Sequence, residues 1–278
     1  MIKSILLSVD GSIYTEAVLR NGIHLAKALE ARLRVLSVID VRTFEWAMSL
    51  GADGFVPVIP SSAYLEESRK LHEEKAQAVL EKSREILQQE NVAFELEKAS
   101  GSPIDVICEQ ARTVDLIIMG ARGEFARWES KMIGATLEAV SRQVNKPILI
   151  VSKEFKPFTK ILAAYDGSPT ANKALGLAGY FANKLSLPVI VLTVSNKGEE
   201  ARQILEEGVK YVSSYDVTVH GEHVRGTPHQ MICEYAHDHD VDLIIMGAYG
   251  GSRIKETILG STTESVMRKS RVPVLLAK

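Results

Sequence analysis

Four residues near the end of the sequence have the types and spacing that a phosphate group requires. Gly247 and Gly250 are separated by two residues, and Gly260 and Ser261 follow after nine more. A glycine after a strand lets a ligand approach the backbone, and the unpaired first amides of a helix attract anions. A loop that begins at a strand end and finishes at a helix start therefore suits a diphosphate or triphosphate.

Side chains in and after this loop strengthen the prediction of an anion site. Arg253 and Lys255 lie inside the loop and can add positive charge beside the anion. Ser261 and Glu264 have the spacing of a capping box, so Ser261 is expected to cap the helix. Any one of these residues alone is more simply a turn residue or a helix cap. Their combination predicts a ligand.

The elements that must position this loop belong to an internal repeat. Residues 114–121 recur letter for letter as residues 241–248, and residues 4–12 match residues 160–168. Two domains are therefore expected, at 1–153 and 158–278, joined by a short charged connector. The first carries about thirty additional residues, including an extra loop at about 42–62.

Short apolar strands alternate with amphipathic helices in each half. In the second half, strands are expected at 160–165, 188–194, 217–224, 243–246 and 274–277, and helices at 171–185, 201–213, 228–239 and 261–269. Strands that are apolar along their whole length predict a parallel sheet covered on both faces. The predicted fold class is α/β: two tandem open-sheet, Rossmann-like sandwiches of about five strands each, with ligands bound at the carboxyl ends of the strands.

The motif Gly247-x2-Gly250-x9-Gly260-Ser261-Thr262 resembles the ATP-binding pattern of the universal stress protein family. The apolar strand before it agrees with that family, as does Asp166, which closes the first strand of the second half. The resemblance covers both halves. It implies an adenine nucleotide alpha hydrolase-like fold in each domain and ATP, with or without Mg²⁺, as the ligand.

The resemblance also implies roles for particular residues. Asp166 and the backbone near Val194 would lie beside the adenine and ribose, with Gly247 at the ribose. Gly250, Gly260, Ser261 and Thr262 would hold the phosphates. The remaining residues predicted to lie at the nucleotide are Ala164, Tyr165, Met246, Arg253 and Thr263.

Family domains commonly pair through their last strands, so the resemblance implies an internal pseudo-dimer with strand 148–151 against strand 274–277. A homodimer of the whole chain and an unidentified protein partner are also expected.

The first half departs from the pattern. Gly120 and Gly123 are present, but ten residues instead of nine precede Gly134, and Ala135 stands where the second half has Ser261. An additional residue in the loop is expected to displace its amides by a few Å. The first half is therefore predicted to bind nucleotide weakly or not at all, with Thr136 as the one residue that can still serve.

Composition excludes several classes of partner. The formal net charge of −2 and the aromatic content of 6% argue against nucleic-acid binding. No apolar run approaches the length of about 18 residues that a membrane span needs. Two cysteines fit a reducing compartment, and the protein is expected in the cytoplasm. The hydrophobic fraction of 46% lets each half bury a core of its own.

Catalytic motifs are absent from the sequence. It contains no Walker loop, no G-x-G-x-x-G and no G-x-S-x-G. ATP is therefore expected to be held for regulation and hydrolysed slowly at most, with no catalytic residue assigned. One alternative is a slow ATPase, or a protein that phosphorylates itself at Ser261. A second is a nucleotide-independent interaction module that uses the segment around Trp46.

Two further groups of residues resemble functional sites. His237 and His239 suggest a metal cluster, but residues two apart do not share a helix face, so no metal site is predicted. Cys108 and Cys233 occupy equivalent helix positions, where each is expected to be a small buried apolar residue.

Overall fold

The computed structural model describes residues 1–41, 62–123, 133–249 and 259–278. Gly250, Arg253, Lys255 and most of the extra loop with Trp46 lie outside these residues. The elements of the first half are β1 (Ser4–Ser8), α1 (Thr15–Leu29), β2 (Arg32–Asp40), α2 (Ser62–Gln88), β3 (Phe94–Gly101), α3 (Pro103–Gln110), β4 (Leu116–Gly120), α4 (Ala135–Gln143) and β5 (Ile148–Val151).

The second half repeats this order. Its elements are β6 (Ile161–Ala164), α5 (Pro169–Leu185), β7 (Val189–Val194), α6 (Gly198–Ser213), β8 (Val219–Val224), α7 (Pro228–Asp238), β9 (Leu243–Gly247), α8 (Ser261–Lys269) and β10 (Val274–Ala277). Each predicted element of this half is present, with bounds that differ by up to three residues. The α/β fold class is confirmed.

The two halves share one sheet. The order of its strands is β3-β2-β1-β4-β5-β10-β9-β6-β7-β8. All neighbours are parallel except β5 and β10, which are antiparallel with Leu149 opposite Leu275. The pairing of strand 148–151 with strand 274–277 is thereby confirmed. Each half contributes five parallel strands, and strand order reverses at β1 and β4 in one half and at β6 and β9 in the other.

The apolar core is continuous across this junction. One buried layer, on one face of the sheet, includes Leu7 from the first half and Ala163 from the second. A second layer, on the opposite face, includes Leu6 and Leu162. Both layers extend across the junction because β5 and β10 pair and join the two sheets.

The connector between the halves is also part of the packing. Phe158 is only 4% exposed, and its ring meets that of His24 edge-on at 5.5 Å. The carboxylate of Asp242 accepts hydrogen bonds from the backbone N–H groups of Thr159 and Lys160, at 2.9 and 3.2 Å. The chain therefore enters β6 through fixed contacts. The domain boundaries at 153 and 158 stay a prediction.

Among the described residues, no helix is both long and apolar enough to cross a membrane. The cytoplasmic location stays a prediction.

Candidate functional site

The predicted nucleotide residues of the second half meet at one edge of the sheet. Strand β6 lies between β9 and β7, and Ala164 is in register with Leu192 of β7. The three parallel strands therefore end together, which brings Asp166, Val194 and Gly247 to the same edge. This edge lies at the reversal of strand order, where open α/β sheets bind ligands.

A tight turn fixes Asp166 after β6. Gly167 has φ +78°, a conformation that favours glycine. Oδ1 of Asp166 accepts a hydrogen bond of 3.0 Å from the N–H of Ser168, and Oγ of Ser168 accepts one from the N–H of Ala171 to cap α5. The Asp166 residue is exposed, so its carboxylate is held in place but open to a ligand.

The side chains of Ala164, Tyr165 and Met246 belong to the core. They are 9%, 7% and 5% exposed. The hydroxyl of Tyr165 donates to Oδ1 of Asn172 at 2.8 Å, and burial raises the pKa of this phenol. A Cβ placed on Gly208 would lie 2.7 Å from the Tyr165 ring, which shows how closely α6 covers it. Only the backbone of these three residues can therefore face a nucleotide.

Gly247 serves a packing role that the sequence did not reveal. A Cβ on this residue would lie 2.7 Å from Oγ1 of Thr170 and 2.9 Å from the backbone nitrogen of Ala171. The missing side chain thus makes room for the start of α5, whether or not a ligand is bound. The hydroxyl of Thr170 in turn donates to the carbonyl oxygen of Tyr249, which ties α5 to the loop after β9.

Helix α8 begins differently from the capping-box prediction. Gly260 occupies the N-cap position, Ser261 is the first helical residue, and no side chain caps the helix. Glu264 therefore lies one position too late for a capping box, and its carboxylate instead meets Arg142 of α4 at 3.1 Å. The N–H of Gly260 donates to the carbonyl oxygen of Ala248 at 3.1 Å, which fixes the helix start against β9.

The three hydroxyl residues of the first turn have different surroundings. Thr263 is 2% exposed, and its hydroxyl donates to the carbonyl oxygen of Gly247 at 3.0 Å. Thr263 therefore positions α8 against β9. Ser261 is exposed and Thr262 is half-buried, which leaves these two residues at the accessible face of the helix start.

The helix start of the first half has the same position. The N–H of Gly134 donates to the carbonyl oxygen of Ala121 at 3.1 Å, as in the second half. The start of α4 therefore makes the same backbone contact as the start of α8, whereas the loop amides that are expected to be displaced fall on 124–132, outside the described residues.

The chemistry of the first half nevertheless differs at the matching positions. Ala135 has no hydroxyl where the second half has one, and the next position is half-buried Thr136. Leu137 is 2% exposed and takes the place of the hydroxyl that ties α8 to β9. A Cβ on Gly123 would lie 2.9 Å from Oδ2 of Asp10, so the loop after β4 passes directly beside that carboxylate.

Sequence reasoning missed one side chain near the second-half site. The ammonium of Lys278 donates to the carbonyl oxygen of Ser141 and lies 3.4 Å from the hydroxyl of Tyr249. Burial lowers the pKa of Lys278 to about 8. No spacing in the sequence links these residues, because they meet only through the pairing of β5 with β10.

The histidines and cysteines form no site of their own in the described part of the chain. No group of three or more His, Cys, Asp or Glu there is placed to hold a metal ion. The ring of His239 stacks on Tyr235 at 3.9 Å. Cys108 and Cys233 are half-buried instead of fully buried, and desolvation raises the pKa of both thiols.

Comparison with known proteins identifies relatives of the whole chain. A sequence profile described as the universal stress protein family matches residues 1–152 and 196–278. A universal stress protein of Synechocystis sp. is 31% identical over 284 aligned positions, which cover 99% of each chain. One of Methanocaldococcus jannaschii is 42% identical over 80 residues, 29% of this chain and 49% of that one.

A solved structure agrees with these relatives. The crystal structure of a universal stress protein from Archaeoglobus fulgidus is 25% identical and superposes with a TM-score of 0.78, covering 99% of this chain and 98% of that one. The chain therefore belongs to the universal stress protein family.

Proposed function

We propose that this chain is an ATP-binding regulatory protein that holds the nucleotide in its second half. The observation that carries the proposal is the exposed start of α8 at Ser261, at the same sheet edge as Asp166 and Val194. The motif resemblance described above points to the same edge.

The start of α8 supplies the phosphate end of the proposed site. The first amides of a helix have no intrahelical partner and carry the positive end of the helix dipole. Those of Ser261 and Thr262 are accompanied by two side-chain hydroxyls, of which the first is exposed. The N–H of Gly260 and the hydroxyl of Thr263 donate to the carbonyl oxygens of Ala248 and Gly247, at 3.1 and 3.0 Å, so these two residues anchor the helix start against the end of β9.

The ends of β6 and β7 supply the nucleoside end. The carboxylate of Asp166 suits ribose hydroxyls, which are hydrogen-bond donors, and it is already oriented by Ser168. The backbone after Ala164 and near Val194 would contact the adenine. Mg²⁺, where present, would be held mainly by the phosphate oxygens of ATP.

The first half is proposed to bind ATP weakly or not at all. It keeps the frame of the site, since the N–H of Gly134 makes the same contact as that of Gly260. It lacks the hydroxyl of Ser261, because Ala135 stands there. The loop at Gly123 also restricts the space beside Asp10.

The proposed regulatory role rests on an ion pair between α8 of the second half and α4 of the first. The same first turns that would hold the phosphates also carry Glu264, whose carboxylate pairs with Arg142 of the first half at 3.1 Å. A nucleotide that orders the start of α8 would thus favour one arrangement of the junction over others, and a protein partner can distinguish these arrangements. A homodimer of the whole chain is part of the proposal.

The nucleotide content of the protein tests the proposal. Purified protein is equilibrated with millimolar ATP, desalted rapidly, denatured with acid and analysed by chromatography. We expect a released adenine nucleotide. Protein that releases none, and whose melting temperature does not respond to millimolar ATP, would contradict the proposal.

A slow ATPase or self-phosphorylation at Ser261 is the second candidate, favoured by the exposure of this residue at a helix start. Phosphate release, or phosphate incorporation, that falls to background in a Ser261→Ala variant would support it. The interaction module around Trp46 stays a prediction outside the described residues.

A further inference from the structure

A cleft lies between the two halves, away from the start of α8. Its volume is about 380 Å³, and its walls come from the loop after β4, the connector after β5 and the end of α8 with the turn into β10. Five of its lining side chains are positively charged: Arg122, Lys153, Lys156, Arg268 and Arg271. Such a concentration is notable in a chain with a formal net charge of −2.

Fewer carboxylates than cations line the described part of the cleft. Among the described residues, these carboxylates are Glu154 and Asp242. Asp242 already accepts hydrogen bonds from Thr159 and Lys160 of the connector. Within residues 1–41, 62–123, 133–249 and 259–278, no ion pair within 4.0 Å involves any of the five cations. The described lining of the cleft, with five cations and two carboxylates, therefore has an excess of positive charge.

A break in the internal symmetry leaves Arg268 without an ion pair to any carboxylate in the described part of the chain. Arg142 at the end of α4 and Arg268 at the end of α8 are equivalent, and each follows a glutamate by four residues. Arg142 binds its own Glu138 at 2.6 Å and also Glu264 at 3.1 Å. Because Glu264 pairs across the junction, Arg268 keeps its charge for the cleft.

In the second half, the side chain of Lys278 extends into the equivalent region. There the ammonium of Lys278 reaches the carbonyl oxygen of Ser141 and lies 5.0 Å from the centre of the Tyr249 ring. In the first half the matching residues are Ser152 and Arg122, both of which line the cleft. The short side chain of Ser152 replaces that of Lys278, which leaves the first-half space open. The guanidinium of Arg122 replaces the aromatic ring of Tyr249, which makes that space more positive.

We propose that this cleft binds a compact organic molecule that carries two phosphate groups. Arginine side chains bind phosphate through paired N–H groups, and Arg268 and Arg271 both face the cleft. Met267, Val272 and Pro273 supply an apolar wall. The volume is at the lower end of the range for small-molecule sites, which favours a ligand smaller than ATP. The ligand would contact both halves and stabilise their junction.

Calorimetric titration with inorganic pyrophosphate tests this proposal. The double variant Arg268→Gln/Arg271→Gln is expected to bind pyrophosphate at least about tenfold more weakly than the wild type, as the loss of charge-assisted hydrogen bonds requires. The matched control Arg202→Gln/Lys210→Gln removes two exposed cations of α6 and the same net charge. It is expected to bind like the wild type.

Two further variants separate this site from others. Ser152→Phe fills the cleft without changing net charge and is expected to weaken binding, whereas Ser152→Ala leaves the cleft open and is expected to bind like the wild type. Circular dichroism verifies that each variant is folded. No binding by the wild type at millimolar pyrophosphate would overturn the proposal. Equal weakening in both double variants, or unchanged binding in Ser152→Phe, would also overturn it.

Discussion

Replacing Gly247 by alanine separates a packing role from a ligand role at the end of β9. The added Cβ would lie 2.9 Å from two backbone atoms at the start of α5, the nitrogen of Ala171 and the carbonyl carbon of Thr170. Backbone cannot move as a flexible side chain can, so α5 must shift. Overpacking of this kind costs about 1–3 kcal/mol.

The assay is thermal and urea unfolding of nucleotide-free protein. A chain of this size loses about 2–4 °C in melting temperature for each kcal/mol, so Gly247→Ala is expected to lower it by several degrees. Gly176→Ala in α5 is the matched control. A Cβ there would lie 3.5 Å from its nearest neighbour, the hydroxyl of Tyr211. Because alanine favours helices over glycine, the control is expected to be as stable as the wild type or more so.

A different result would refute this reasoning. If nucleotide-free Gly247→Ala melts with the wild type and only its affinity for ATP falls, the missing side chain serves ligand approach and not the packing of α5.

Three further predictions concern the contacts around α8 and the junction. Thr263→Val removes a buried hydrogen bond to Gly247 and should lower the free energy of unfolding, measured in urea, by about 1–3 kcal/mol. An unchanged urea midpoint would contradict the role of Thr263 in positioning α8 against β9. Arg142→Gln breaks a half-exposed ion pair with Glu264 and should lower the free energy of unfolding by less than about 1 kcal/mol. The same variant should remove any ATP-dependent change in the hydrogen exchange of α4. Persistence of that change would show that coupling between the halves does not use this ion pair. Burial lowers the pKa of His24 below its usual value of 6.5, so the unfolded chain binds the proton more readily than the folded one. Stability should therefore fall as pH drops below 6.5. His24→Phe should flatten this dependence, and equal profiles of stability against pH in the variant and the wild type would contradict it.

Much of the fold follows from local patterns in the sequence. The letter-for-letter repeat at 114–121 and 241–248 marks β4 and β9, and fully apolar runs mark the parallel strands. These signals depend on neighbours in the sequence. Asp166, Val194 and Gly247 lie at one edge of the sheet because the parallel strands β6, β7 and β9 end together, and their contacts with a nucleotide stay a prediction.

Contacts between distant residues were not predictable in the same way. Glu264 has the spacing of a capping residue, but Gly260 takes the N-cap position and Arg142, more than one hundred residues away, takes the carboxylate. The fusion of the two cores likewise depends on how β5 and β10 meet. The burial of Lys278 follows from that same pairing and has no sequence signal.

The measurement that tests the central claim most directly compares the two helix starts. Gly260→Asp and Gly134→Asp place the same negative charge at the equivalent N-cap positions of α8 and α4. Calorimetric titration with ATP should show binding at least about tenfold weaker in Gly260→Asp and unchanged in Gly134→Asp. Equal affinities in the two variants, or a loss confined to Gly134→Asp, would contradict a nucleotide held in the second half.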